Sequence, residues 1–182
     1  MKAERPVSNR RQWLAAATGI ALAGAGIGLI LHSRQQRTNE LSQIEQALWS
    51  QSFVRTDGTS LSMSTFLAKP LLLNFWATWC PPCIAELPLL DDFFEKNKAN
   101  GWQVLGLAVD QPDSVRTFLQ RSPVSFPTAL AGFPGIELSR SLGNISGGLP
   151  FTVVLDGSGR AIHRKIGRVT ERDLRAWLDL TS

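Results

Sequence analysis

The stretch LLLNFWATWCPPCIAELP, residues 71–88, holds both cysteines of the 182-residue chain and a change of secondary-structure period. Leu71–Phe75 is a short apolar run of buried-strand type. From about Pro82 to Asn97 the pattern is helical, with Leu87, Leu90 and Phe94 on one face. Cys80 and Cys83 are two residues apart at the start of that helix, where aligned backbone dipoles favour thiolate over thiol. Pro81 and Pro82 stiffen the loop and suit a first helical turn, where a missing N–H costs least.

Several chemistries use such a pair. A structural zinc site needs about four ligands, and the only histidines are the distant His32 and His163. A copper site asks for a further soft or imidazole ligand, and none stands at short range. An inert disulfide closing so small a ring stabilises little through loop entropy. A redox dithiol remains the reading that needs nothing else from the chain.

Outward from the motif, strands and helices alternate. Asn39 and the Leu41, Ile44, Leu48 spacing predict an amphipathic helix over 40–49. Phe53–Arg55 and Leu61–Met63 flank Asp57-Gly58-Thr59, a hairpin signal. Gln103–Val109 is a second buried strand. Asp113–Gln120 is expected to be helical, Pro127–Leu130 a short strand and Gly135–Leu142 another helix. Phe151–Leu155 and Ala161–Ile166 flank Gly157-Ser158-Gly159, a second hairpin, and Thr170 caps a last helix to Leu180. The pattern predicts an α/β fold with a mixed central sheet flanked by helices.

Charge separates the N-terminal segment from the body. Residues 1–37 hold six Lys/Arg against one acid, whereas the other 145 residues hold thirteen bases and fourteen acids. The basic pI of about 9.6 therefore belongs to the tail. A nucleic-acid binder carries its positive charge on the folded domain, so that class is excluded. Nineteen uncharged residues, Trp13–Leu31, are long enough to cross a hydrocarbon core of about 30 Å. Bases on the N-terminal side predict a cytoplasmic N-terminus, a single pass through the cytoplasmic membrane and a periplasmic body. A cleaved signal peptide is the alternative, with Ala23-Gly24-Ala25 as its internal site. Asn9–Leu14 resembles a twin-arginine signal, and a plain positive flank is the other reading of Arg10 and Arg11. The expected organisation is a basic tail over 1–12, an anchor over 13–31, a tether over 32–45 and a domain over 46–182.

Residues Asn74–Pro88 closely resemble the active-site segment of the TlpA/ResA-like, membrane-anchored thiol:disulfide oxidoreductases. These belong to the thioredoxin superfamily, in its redoxin/AhpC-TSA-like branch. The resemblance runs over about residues 50–182 and takes in the Asp57-Gly58 hairpin, the extra helix and strand near 113–130, and Gly148-Leu149-Pro150. It implies a thioredoxin-like fold with an extra βα insertion, an N-terminal hairpin and a preceding transmembrane helix. It also implies that Pro150 is a cis-proline facing the cysteines. The partners implied are disulfide-bearing clients, namely cytochrome c apoproteins or respiratory copper-site proteins, and a membrane-embedded thiol electron donor. No organic cofactor and no metal is expected.

Within that frame each residue has an expected role. Cys80, nearer the helix start, is expected to be the exposed nucleophile and Cys83 the shielded resolving thiol. Trp79, Pro81, Pro82, Leu149 and Pro150 face the substrate, while Trp76 belongs to the core. Asn74 stands where thioredoxins carry a buried acid, and an amide cannot take a proton. Glu86, three residues beyond Cys83 on the same helix face, is the candidate for that task, against the alternative of a solvated helix glutamate. The two prolines remove N–H donors beside Cys80, and no base lies within ten positions of it. Both features predict a reductant, with an oxidase, an isomerase or a non-catalytic binding module as alternatives. Peroxide reduction asks for Thr-x-x-Cys, and the Thr78–Cys80 spacing is one residue short. The late bases Arg160, Arg164, Lys165, Arg168, Arg172 and Arg175 read as a solvated face or, alternatively, a patch for an acidic partner.

Overall fold

The computed structural model describes residues 43–179. The basic tail, the uncharged span and most of the tether lie outside the described residues. Among the described residues no helix is long and apolar enough to cross a membrane.

The period-2 alternation of the central strands decides how the layers form. Seven strands make one sheet: β1 (Ser52–Arg55), β2 (Ser60–Ser62), β3 (Leu71–Trp76), β4 (Gln103–Ala108), β5 (Thr128–Leu130), β6 (Phe151–Leu155) and β7 (Ala161–Ile166). Their order is β2-β1-β5-β4-β3-β6-β7. β3, β4 and β5 run parallel, whereas β1, β2, β6 and β7 join antiparallel to their neighbours. Every residue of β3 is buried, because both faces of the sheet are covered.

Even-numbered positions of β3 point one way and odd-numbered ones the other. Leu72 and Trp76 join a core with Val104, Ala108 and Val154. Helices α2 (Pro81–Asn97) and α5 (Glu171–Asp179) close it with Leu87, Leu90, Phe93, Leu174 and Trp177. Leu71, Leu73 and Phe75 join the opposite core with Leu105, Leu107, Phe151 and Val153. That side is covered by α1, helical at 43–49, through Leu48, and by α4 (Gly135–Ser141) through Ile136 and Leu138. Helix α3 (Pro112–Arg121) buries Val115 against the first core.

The compact unit begins at Gln43, three residues before the expected boundary at 46. Ile44 packs on the second core, and the Glu45 carboxylate accepts the Ala161 N–H at 2.7 Å. The N-terminal hairpin reaches the sheet through the inserted strand, with Val54 opposite Leu130 and Arg55 opposite Ala129. Met63, expected to end a strand, starts a single 3-10 turn instead and is fully buried. Thr170 and Asp173 cap α5 reciprocally: the Thr170 N–H donates to Asp173 Oδ2 at 2.8 Å, and the Asp173 N–H to Thr170 Oγ1 at 3.3 Å.

Candidate active site

The carboxyl end of β3 delivers the motif to the sheet edge. Cys80 is the N-cap of α2, with Pro81 and Pro82 at its first two helical positions. Cys80 and Cys83 form a disulfide with their Cα atoms 5.3 Å apart, so the structure is the oxidised form. Cys80 retains 4% exposure whereas Cys83 has none. Expected to be exposed, Cys80 is in this oxidised form buried too, because the start of α2 and the disulfide itself enclose its sulfur. The Cys83 and Ile84 N–H groups both donate to the Cys80 carbonyl oxygen, at 3.0 and 3.1 Å.

The parity of β3 places Asn74 on the α2 side of the sheet, between Leu72 and Trp76, where it meets Glu86. Its side-chain amide donates to Glu86 Oε1 at 2.8 Å and to Thr152 Oγ1 at 3.0 Å. The Val169 N–H, from the turn before α5, donates to Glu86 Oε2 at 2.7 Å. Glu86 is fully buried, so it is no solvated helix glutamate. Burial pushes its carboxyl up from 4.5 to about 6. The Val169 N–H, the Asn74 amide and the nearby charges of Arg168 and Lys165 oppose that rise without cancelling it. A residue three positions beyond Cys83 lies on the same helix face, so a carboxyl whose pKa is raised to about 6 shares the face of α2 that carries the shielded cysteine.

Other expected site residues fall at the same edge. Trp79 is 59% exposed, and Pro81 and Pro82 are exposed beside it. The Leu149-Pro150 bond is cis, as the resemblance implied. Pro150 is buried and Leu149 half-buried, so of this pair Leu149 reaches the surface. Trp76 is wholly in the core. Five of the six late bases have partners within the domain. Lys165 pairs with Asp173, Arg160 with Asp156 and Arg175 with Glu171, while Arg164 donates to the Leu142 carbonyl and Arg168 to that of Ala85.

Two positioning residues carry no sequence signal strong enough to single them out. Asp110, buried just past β4, accepts the Thr78 N–H at 2.9 Å, the Thr78 hydroxyl at 2.5 Å and the Gln111 N–H at 2.7 Å. It ties the loop before Cys80 to the neighbouring strand, and in the sequence it is only the polar residue closing an apolar run. Asn144, also buried, donates to the Gly148 carbonyl at 2.8 Å and to Ser139 Oγ at 3.0 Å, fixing the segment that leads to the cis bond. Among the described residues no group of three or more His, Cys, Asp or Glu could hold a metal ion.

The redoxin family profile matches residues 43–178. The chain belongs to the redoxin family. The thiol-disulfide oxidoreductase ResA of Bacillus cereus (strain ATCC 10987 / NRS 248) is 30% identical over 162 residues, covering 87% of this chain and 90% of the relative. Among solved structures, a thiol:disulfide interchange protein of the thioredoxin family from Chlorobium tepidum TLS is similar, with a TM-score of 0.62. It is 28% identical and covers 72% of this chain and 92% of its own. StoA from Bacillus subtilis, 23% identical with a TM-score of 0.57, shares the fold over 72% of this chain and 98% of its own. This redoxin has a thioredoxin-like fold and is a protein thiol:disulfide oxidoreductase of the ResA type, with Cys80 and Cys83 as its pair.

Proposed function

We propose that this redoxin is a membrane-anchored, periplasm-facing reductant of disulfides in client proteins. The Cys80 thiolate attacks one sulfur of a client disulfide, forms a mixed disulfide and expels the other client sulfur as a thiolate. Glu86 takes the proton of Cys83. The Cys83 thiolate then attacks Cys80 Sγ, closes the Cys80–Cys83 bond and releases the second client thiolate. Two electrons have passed from the enzyme pair to the client. A dithiol donor embedded in the membrane returns two electrons and resets the pair. Cytochrome c apoproteins and respiratory copper-site proteins are the clients that the family resemblance points to.

The observation that carries the direction is the poverty of donors at Cys80. A strong oxidant has a strongly stabilised thiolate, as in DsbA. Here Pro81 and Pro82 supply no N–H, and the next two N–H groups are already bonded to the Cys80 carbonyl oxygen. A thiolate so little stabilised leaves the disulfide hard to reduce. Equilibration with a glutathione redox buffer tests this reading. The expected potential lies nearer thioredoxin's roughly −270 mV than DsbA's roughly −120 mV. A value above about −180 mV, typical of disulfide isomerase, makes the chain an oxidant or isomerase instead.

A further inference from the structure

Among the described residues three buried side-chain polar atoms have no hydrogen-bond partner, and one of them, Asn74 Oδ1, belongs to the group around Glu86. Asn74, Glu86 and Thr152 are all fully buried. Asn74 and Thr152 stand opposite each other on β3 and β6. The Asn74 amide uses both its hydrogens, one on Glu86 Oε1 at 2.8 Å and one on Thr152 Oγ1 at 3.0 Å, and its carbonyl oxygen is left without a donor. A buried acceptor without a donor costs stability and calls for a reason. The three side chains differ in what they can offer. A carboxyl accepts when ionised and donates when protonated, a hydroxyl does either, and an amide donates at one end and accepts at the other. The two ends of the amide are nearly equal in shape, and its partners decide which way it faces. On Glu86, Oε2 already accepts the Val169 N–H at 2.7 Å, so an incoming proton belongs on Oε1, the oxygen that faces Asn74. There the new O–H would meet the Nδ2 hydrogens, donor against donor and away from water.

We propose that Asn74 is a positioning residue whose side-chain amide turns over when Glu86 takes a proton, so that Oδ1 replaces Nδ2 against both Glu86 and Thr152. Protonated Glu86 Oε1 then donates to Oδ1, and the Thr152 hydroxyl rotates and donates to the same oxygen. The NH2 group moves to the side where Oδ1 stood and is left without an acceptor, as Oδ1 is in the ionised form. Loss of the proton reverses the turn. Each charge state of Glu86 thus meets a partner of the right sense, and no proton passes through Asn74 itself. The proposal rests on the reading of Glu86 as the acceptor of the Cys83 proton. Both states are within reach near neutrality, because burial lifts the carboxyl to about 6. The charged groups facing Glu86 are Arg168, from the turn before α5, and Lys165 of β7, which pairs with Asp173 of α5. Its own face of α2 carries Cys83, which titrates only when reduced. Neither β3 nor β6 carries a charge.

NMR of the oxidised full-length protein in detergent micelles tests the switch, with asparagine labelled at its side-chain nitrogen and the Asn74 signal assigned through its bonds to the backbone. At pH 8 the Nδ2 hydrogens should show nuclear Overhauser contacts to the Glu86 and Thr152 side chains. At pH 4 those contacts should be lost, with a midpoint that follows the Glu86 carboxyl carbon. In E86Q the Val169 N–H keeps the oxygen of the new side chain and the new NH2 group faces Asn74, so the contacts should be absent at both pH values. In N74L the ionised carboxyl loses a bond about twice as strong as the one its neutral form loses, and Glu86 should titrate about one pH unit higher. Contacts that persist at pH 4 or in E86Q, or a midpoint that departs from that of Glu86, overturn the proposal. So does an unchanged Glu86 midpoint in N74L, and the wild-type and E86Q spectra decide alone if N74L does not fold. The oxidised protein has no free thiol, so the amide is read apart from the transfer out of Cys83. A switching amide with E86Q as fast as wild type in releasing clients defeats the reading of Glu86 alone. A slowed E86Q with a fixed amide defeats the switch alone.

Discussion

Glu86 is a carboxyl whose surroundings, and not its type, set its chemistry. Folding removes it from water and raises its pKa from 4.5 to about 6, so the folded chain holds this proton more tightly than the unfolded chain does. The sign of the linkage follows. The contribution of Glu86 to stability is full below pH 4.5 and is lost as the pH rises through 6, by about 2 kcal/mol in all. Urea titrations of the oxidised protein should therefore show the stability of the wild type, relative to E86Q, falling by about that amount between pH 4 and pH 8. A difference that stays flat means the carboxyl ionises as it would in water. The same proton matters to turnover. In E86Q the step that frees the client should slow, because Cys83 loses its acceptor. The wild-type pH profile of that step reports a coupled pair and not one residue. Rates for E86Q and wild type that coincide from pH 6 to 9 would leave Glu86 with a structural role alone.

The elements carry the site to one edge of the sheet by short, tightly built turns. Asp110 at the end of β4 and Asn144 after α4 each spend a buried side chain on the backbone of a loop that borders Cys80 or the cis bond. The turn from β5 into α4 is just as constrained. A Cβ at Gly135 would sit 2.7 Å from Ala131 Cβ and 2.9 Å from Val109 Cγ2. Alanine and β-branched valine have no flexible end with which to yield, so G135A must displace either β5 or the start of α4. Chemical denaturation should show a loss of about 1–3 kcal/mol. A G135A protein as stable as the wild type would mean that the corner is looser than its contacts imply. Gly106 is a milder case on β4, where the close neighbours are the rings of Phe126 and Trp76, at 3.1 Å each.

At the scale of the whole molecule the division of charge is the dominant feature. Positive charge in excess of the body's near-neutral balance lies within the first 37 residues, around an uncharged span. The intact protein is accordingly expected to fractionate with the cytoplasmic membrane. Residues 40–182 should be reachable by a protease or thiol label only from the periplasmic side. A soluble mature form beginning near Ile27, with no membrane-bound protein, would replace the anchor by a cleaved signal. An anchored body also suits the proposed electron flow, since the donor and the acceptor are then held at one membrane face.

The amino-acid sequence by itself determined the order of strands and helices, both hairpins, the mixed sheet and the dithiol at a helix start. Each of these rests on neighbours a few positions away: apolar period, turn residues, prolines at a first turn. It also singled out Glu86, because Asn74 leaves the strand without an acid and the spacing from Cys83 is one helical turn. Only the tertiary structure decided what Glu86 is. Its second partner, the Val169 N–H, lies 83 residues away, and its burial depends on how α2 and the turn before α5 close over β3. Desolvation is a property of everything packed around a group, so no local pattern records it. The same holds for Asp110 and Asn144. Their loops lie far apart along the chain and meet because the parallel β3 and β4 end, and the antiparallel β6 begins, at a common edge. A role set by that edge is carried by the sheet's order, β5-β4-β3-β6, and not by any segment within it.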